Sequence, residues 1–240
     1  MTSTKRRSNQ LRPTKIQPHP AGAAGSVVIT QGDTRVLCTA SLEDKVPPFL
    51  IDRQTGQPTG GWVTAEYSML PGSTPQRKKR GPDGRGTEIQ RLIGRALRAA
   101  VDLKKMPGVT VTCDCDVLVA DGGTRTAAIT GAFVALAQAL AAARRRGLID
   151  RDPINGPVAA VSVGIIDGRP QLDLNYELDS RADVDMNVAM NHRGQFVEVQ
   201  GTGEGATFTR EQLDQLLDLA ATGIRQLMRF QRAVLSKPRR

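Results

Sequence analysis

Aromatic residues make up only 3% of this 240-residue chain: five Phe, two Tyr and one Trp. A core of any size must therefore be filled by Val, Ile, Leu and Ala. Histidine is scarcer still, with His19 in a proline-flanked loop and His192 in an expected hairpin turn, so no credible Ser/His or Cys/His nucleophile pair is present. Cysteine occurs three times, at Cys38, Cys113 and Cys115; the odd count excludes a closed disulfide framework, and two histidines add little to a soft-metal site. No run reaches about 18 consecutive apolar residues, which argues against a membrane span. The N-terminus, Met1–Arg7, is basic but no apolar stretch comes after it, so a cytoplasmic protein without a secretory signal is expected. Also lacking are the lysine-bearing glycine loop of nucleoside-triphosphate binders and the glycine spacing of dinucleotide folds.

What the chain has is positive charge. Lys and Arg number 33 against 24 Asp and Glu, a formal net charge of +9. Such a balance suits a polyanion, because each cation that neutralises a phosphate releases a condensed counterion; solubility alone is the plainer explanation. The position of the charge decides between them. Basic arms at about residues 1–10 and 236–240 flank a single domain spanning 1–240, and their lack of periodicity predicts loose chain. A second concentration, Arg77-Lys78-Lys79-Arg80 with Arg85, falls in the Pro- and Gly-rich segment Pro71–Gly86, which has no apolar anchor and is expected to be mobile and exposed.

Residue periodicity predicts strands at Ser26–Thr30, Thr34–Ala40, Trp62–Tyr67, Val109–Val119, Val158–Ile166, Gln171–Glu177, Val184–Met190 and Phe196–Gln200. Asp167-Gly168 is a hairpin signal. In Val109–Val117, Cys113 and Cys115 alternate with Asp114 and Asp116, which predicts that the thiols share the apolar face. Ile89, Leu92, Ile93, Ala96, Leu97, Ala100 and Val101 mark an amphipathic helix whose other face carries Arg91, Arg95 and Arg98, either solvated or lining a cleft. Thr126–Arg146 is apolar nearly all round and predicts a central, buried helix. A last helix opens at Thr209-Arg210-Glu211-Gln212, a capping-box pattern. The element order implies an α+β fold with mixed and antiparallel sheets and helices packed on them.

Two constellations could carry chemistry. Asp121-Gly122-Gly123-Thr124-Arg125 is a strand-to-helix turn; its glycines free backbone amides to approach an anion at the positive end of a helix. Thr124 adds a hydroxyl and Arg125 a bidentate fork for phosphate oxygens, although Thr124 could equally be a plain cap. The second is acidic. Asp183, Asp185 and Asn187 share one strand face, and Asp179 lies just before them. These carboxylates could be solvated, supply a general acid, or hold Mg²⁺ between Asp179 and Asp185; Asp114 and Asp116 are candidates for a supporting role.

Several blocks resemble the ribonuclease PH family: Val46-Pro47-Pro48-Phe49-Leu50, Gly61–Tyr67, Glu88–Arg98, Asp121–Thr126 and Asp183-Val184-Asp185-Met186-Asn187. The similarity runs from about Gln10 to about Leu235. The resemblance implies the ribonuclease PH fold (ribosomal protein S5 domain 2-like) and a phosphorolytic 3′-to-5′ exoribonuclease that trims tRNA precursors and releases nucleoside diphosphates. It also implies a homohexameric ring of three dimers, with inorganic phosphate as co-substrate. Family roles carry over to Arg85, Gly123, Thr124 and Arg125 as phosphate ligands and to Asp179 and Asp185 as the catalytic acidic pair. Arg77, Lys78, Lys79, Arg80 and Arg91 are candidates for RNA contact. Two departures stand out: Thr4-Lys5-Arg6-Arg7 replaces the family's Asp-Gly-Arg, and Gly72 replaces the arginine expected after Met69-Leu70-Pro71, ahead of a shortened loop. The rival readings are a catalytically silent RNA-binding ring subunit and a metal-dependent hydrolase.

Overall fold

The computed structural model describes residues 6–81, 83–204 and 206–236. Alternating apolar residues build a five-stranded sheet from β1 (Thr14–Pro18), β2 (Gly25–Gln31), β3 (Thr34–Glu43), β4 (Trp62–Met69) and β5 (Thr110–Val119), in the order β1-β2-β3-β5-β4. All pairs are antiparallel except β4 with β5. Parallel neighbours need a crossover, and α1 (Gly84–Arg98) supplies it. After α2 (Thr124–Arg145), a four-stranded antiparallel sheet forms from β6 (Val158–Ile166), β7 (Arg169–Leu172), β8 (Val184–Asn191) and β9 (Phe196–Gly203), in the order β7-β6-β8-β9. The helical turn α3 (Tyr176–Asp179) joins β7 to β8, and α4 (Arg210–Leu235) closes the chain.

The sheets explain the composition of α2. Its one side faces Val27, Ile29, Cys38 and Ala40 of the first sheet, and its Thr130 bonds to Ala160 in the second. By length and composition this helix could cross a membrane. Here its apolar circumference is buried between two sheets, which is the alternative use of such a helix. Strand β6 is buried along its whole length because its faces serve two cores. Val158 and Ala160 join the α2 side, whereas Ala159, Val161, Val163 and Ile165 pack with Leu216, Ala220, Ile224 and Leu227 of α4. Strand register carries this division into β8: Met186 and Val188 oppose Val163 and Val161 and share their α4 face. Asp185 and Asn187 therefore turn toward α2.

Tight packing along α2 yields a stability prediction. A Cβ added at Gly131 would lie 2.7 Å from the Cys38 Sγ and 2.8 Å from Ile29 Cγ2. Gly131→Val is expected to destabilise the protein by about 1–3 kcal/mol through overpacking, measurable as a lower urea midpoint with an unchanged slope.

Several sequence expectations need correction. Strand β1 carries no clear sequence signal; Pro13 before it and Pro18 at its end disguise a short edge strand that pairs with β2. The expected strand Gln171–Glu177 stops at Leu172, because Asp173 takes a left-handed conformation (φ 60°) and the chain turns into α3. Helix α1 starts at Gly84, where Asp83 caps it by accepting from the Gly86 amide, and ends at Arg98 rather than Val101. The basic segment before it is not wholly exposed: Ser73 is buried and its carbonyl accepts from Ala120 N at 2.8 Å. The N-terminal arm is tied down from Arg6, whose guanidinium donates to Leu172 O and Asp173 O at 2.8 and 2.9 Å. The remainder of both expected arms, residues 1–5 and 237–240, lies outside the described residues. The capping box at Thr209 and Gln212, the Asp167-Gly168 hairpin, and the burial of Cys113 and Cys115 beside Val111 and Val117 match expectation.

Candidate active site

The turn between β5 and α2 holds two consecutive left-handed residues, Gly122 (φ 70°) and Gly123 (φ 65°). Side chains are excluded on space as well: a Cβ on Gly122 would come 2.5 Å from the backbone carbon of Asn175. Gly123 is the N-cap of α2 and, among the described residues, no side chain caps that helix. The first amides of α2 are thus left to a ligand or water at the positive end of the dipole. Thr124 is the first helical residue rather than the cap, and its hydroxyl shares a 2.8 Å hydrogen bond with the Tyr67 hydroxyl of β4.

Two arginines and two acids gather at this turn. Arg125 donates to Gln200 Oε1 at 2.8 Å and stands 3.8 Å from Glu88 Oε1; Gln200 in turn donates to Glu88 at 2.6 Å. Arg85, in the capped first turn of α1, lies close enough to act electrostatically on both Tyr67 and Asp179. Its position depends on the Asp83 cap, a signal present in the sequence but hidden by the surrounding Pro and Gly.

The acids arrive from the second sheet. Asn175 caps α3 by accepting from Leu178 N, and this single turn presents Asp179. Asp185 enters from β8 on the α2-facing side. Burial pushes its carboxyl up to about 6, aided by Asp179 and Glu204 and opposed by Arg125. Among the described residues, Asp185 Oδ1 is buried without a hydrogen-bond partner. Burial also raises Asp179, with Arg85 and Arg125 pulling it back and Glu204 adding to the rise. One helix N-terminus, two arginines and two acids with displaced proton affinities therefore converge, an arrangement typical of a reactive centre. It can hold a tetrahedral oxyanion beside a group able to donate a proton.

The remaining candidates divide. Arg77, Lys79 and Arg80 are exposed and Lys78 half-buried on the segment anchored through Ser73 beside Asp121. Arg91 is exposed on α1. Arg95 forms a two-pronged pair with Glu198, and Arg98 stacks 4.5 Å over Trp62, so both have structural partners. Asp114 and Asp116 stand on the sheet face away from α2, opposite the buried thiols, and not beside Asp185. Sequence reasoning missed Tyr67, Glu88, Gln200 and Glu204 around the turn; nothing in their spacing marks them, because β4, α1 and the end of β9 bring them together.

Residues 10–141 match the model of the 3′ exoribonuclease family, domain 1, and residues 156–223 match its domain 2. The chain is 55% identical over 236 residues to a ribonuclease PH of Corynebacterium efficiens, covering 96% of this chain and 94% of that protein. It is 53% identical to a ribonuclease PH of Syntrophomonas wolfei, covering 96% and 97%. Among solved structures, a chain of the Archaeoglobus fulgidus exosome with RNA bound to the active site aligns with a TM-score of 0.79 at 24% identity, over 93% of this chain and 90% of that one. That last likeness is one of fold. Matching both domain models, and more than half identical to relatives along nearly its full length, the chain belongs to the ribonuclease PH family of 3′ exoribonucleases.

Proposed function

We propose that this chain is a phosphorolytic 3′-to-5′ exoribonuclease acting on tRNA precursor ends, with its chemistry centred on the Gly123–Arg125 turn. The observation that carries the site assignment is the convergence of Arg85 and Arg125 with Asp179 and Asp185 on one uncapped helix N-terminus. Arg85, Arg125, the Thr124 hydroxyl and the amides of 123–125 bind inorganic phosphate. A phosphate oxygen attacks the terminal phosphorus in line; the bond from phosphorus to the preceding 3′-oxygen breaks, and a nucleoside diphosphate leaves. The departing 3′-oxygen takes a proton from Asp185, whose carboxyl sits near 6 and so stays partly protonated close to neutrality. Asp179 keeps that affinity high. Positioning and charge stabilisation supply most of the acceleration, as in other phosphoryl transfers. One phosphodiester is exchanged for a diphosphate bond, so excess nucleoside diphosphate drives nucleotide addition.

The donor set also suits Mg²⁺, which binds through one or two carboxylates completed by phosphate oxygens and water. Asp179 and Asp185, whose Oδ1 has no hydrogen-bond partner among the described residues, would hold it; bound there it would keep both carboxylates ionised, neutralise charge on the reacting phosphates and acidify a bound water, as an alternative to proton donation by Asp185 itself. Arg77, Lys78, Lys79, Arg80 and Arg91 form the RNA approach, with steep salt dependence expected. Phosphate ligands lie within the first family domain and the acids within the second, so residues 1–240 act as one unit. The working assembly is a cytoplasmic homohexamer of three dimers, to be checked by light scattering.

The test is incubation with 3′-extended tRNA, with and without phosphate. Nucleoside diphosphates appearing only with phosphate are expected. Monophosphates would indicate hydrolysis, and no product at all would indicate a silent RNA-binding subunit; either outcome refutes the proposal.

A further inference from the structure

Behind the phosphate turn lies an ion pair that the reaction does not touch. Arg12 and Asp173 are 6% and 1% exposed. The Asp173 carboxylate accepts from Arg12 N at 2.7 Å, Nε at 3.1 Å and Nη2 at 2.7 Å. The same guanidinium continues past the pair: Nη1 donates to Asp121 O at 2.5 Å and Nη2 to Gly122 O at 3.4 Å. Thr34 adds a second brace, donating to Gly122 O at 2.7 Å and accepting from Asp121 N at 2.9 Å.

Asp173 itself is held in a conformation that non-glycine residues rarely adopt, with φ at 60°. Ser162 of β6 fixes it there, its carbonyl accepting from Asp173 N at 2.7 Å and its hydroxyl from Leu174 N at 3.0 Å. The chain leaving Asp173 runs directly against the phosphate turn. Tyr176 N donates to Asp121 Oδ1 at 3.3 Å, and the Asn175 backbone fills the space where a Gly122 side chain would stand. Three residues beyond Tyr176 comes Asp179. One guanidinium therefore grips both the loop that binds phosphate and the loop that leads to the acids.

The geometry points to Arg12 and Asp173 as a positioning pair that sets the separation between the phosphate turn and the Asp179 turn. This inference rests on the phosphorolytic reading above, since the distance being set is that between attacking phosphate and proton donor. A buried pair is poor evidence for stability, because apolar replacements often fold as well. Its use here is geometric: a planar fork can span two backbones where a point charge on a flexible stem cannot. Burial of the Arg12 main-chain contact and the strained Asp173 backbone both favour a fixed placement over a merely adhesive one.

The experiment compares wild type, Arg12→Lys and the paired neutral variant Arg12→Met/Asp173→Asn, asparagine being tolerated at the left-handed φ of position 173. Phosphate and RNA are varied separately in trimming assays, with RNA affinity without phosphate measured alongside thermal melting. Arg12→Lys keeps a cation against Asp173 but loses the span. Its kcat/KM for phosphate is expected to fall roughly 10- to 100-fold, as a misplacement of about 1 Å would produce, while RNA affinity holds. If Arg12→Lys does not fold, the neutral pair carries the same expectation, because it removes both charges of the pair together and so leaves neither one buried without the other. Folded variants that melt lower yet match wild-type kinetics would overturn the positioning role and leave the phosphorolytic reading standing. A wild-type protein with no phosphate-dependent activity would overturn both.

Discussion

Asp185→Asn is expected to lower kcat for phosphate-dependent trimming roughly 10²- to 10⁴-fold, the usual range for loss of a general acid, while making the folded protein more stable. The two effects share one cause. In the folded chain burial and neighbouring acids raise the Asp185 carboxyl from its ordinary 3.8 to about 6. Between those values the folded state keeps a proton that the unfolded state has released, so stability declines as pH rises through this window and is level above it. The loss amounts to on the order of 2–3 kcal/mol at most. Asparagine carries no charge to desolvate and escapes the loss. Thermal melts at pH 8 should show the variant above wild type, with the gap closing toward pH 4. A variant that is inactive and also less stable at pH 8 would contradict the proton-donor reading. Wild-type kcat should correspondingly fall as pH rises past about 6, with Asp179 sharing in the same titration.

Arg125→Ala is expected to reduce kcat/KM for phosphate by roughly 10³- to 10⁵-fold, comparable to removing an arginine that neutralises a transferring phosphoryl group. Affinity for RNA in the absence of phosphate should change little. Arg125→Lys should recover only a small part of the loss, because an ammonium cannot reproduce the planar two-point grip on phosphate oxygens. Without phosphate the Arg125 guanidinium already has partners in Gln200 and, at longer range, Glu88. These contacts restrict the side chain and limit the entropy lost when phosphate binds. Steady-state assays at varied phosphate separate the terms. Unchanged phosphate dependence in Arg125→Ala would remove the turn from the mechanism.

Legibility varied with how local the cause was. The buried character of α2 could be read from a circumference that is apolar nearly all round, and the α4 cap from four adjacent residues. The Gly122-Gly123 turn was visible because only glycine fits two successive left-handed positions. Asp185 could be placed on a polar strand face by simple alternation. The start of α1 was obscured by the Pro- and Gly-rich segment before Asp83, and α3 by apolar residues at Leu172 and Leu174 that imitate a continuing strand. Arg85 entered only through family resemblance, since its neighbours carry no distinguishing spacing.

The sequence by itself determined most of the element types and marked the Gly122-Gly123 turn and the polar face of β8 as candidate positions, each set by residues within a few positions of one another. Only the tertiary structure decided that Asp185 faces α2, because that depends on β6 burying one face against each of two cores. It alone joined Arg12 to Asp173 across 161 positions, and Arg125 to Gln200 across 75. Such contacts arise from sheet register and layer packing, where side-chain direction is fixed by partners far along the chain rather than by local propensity.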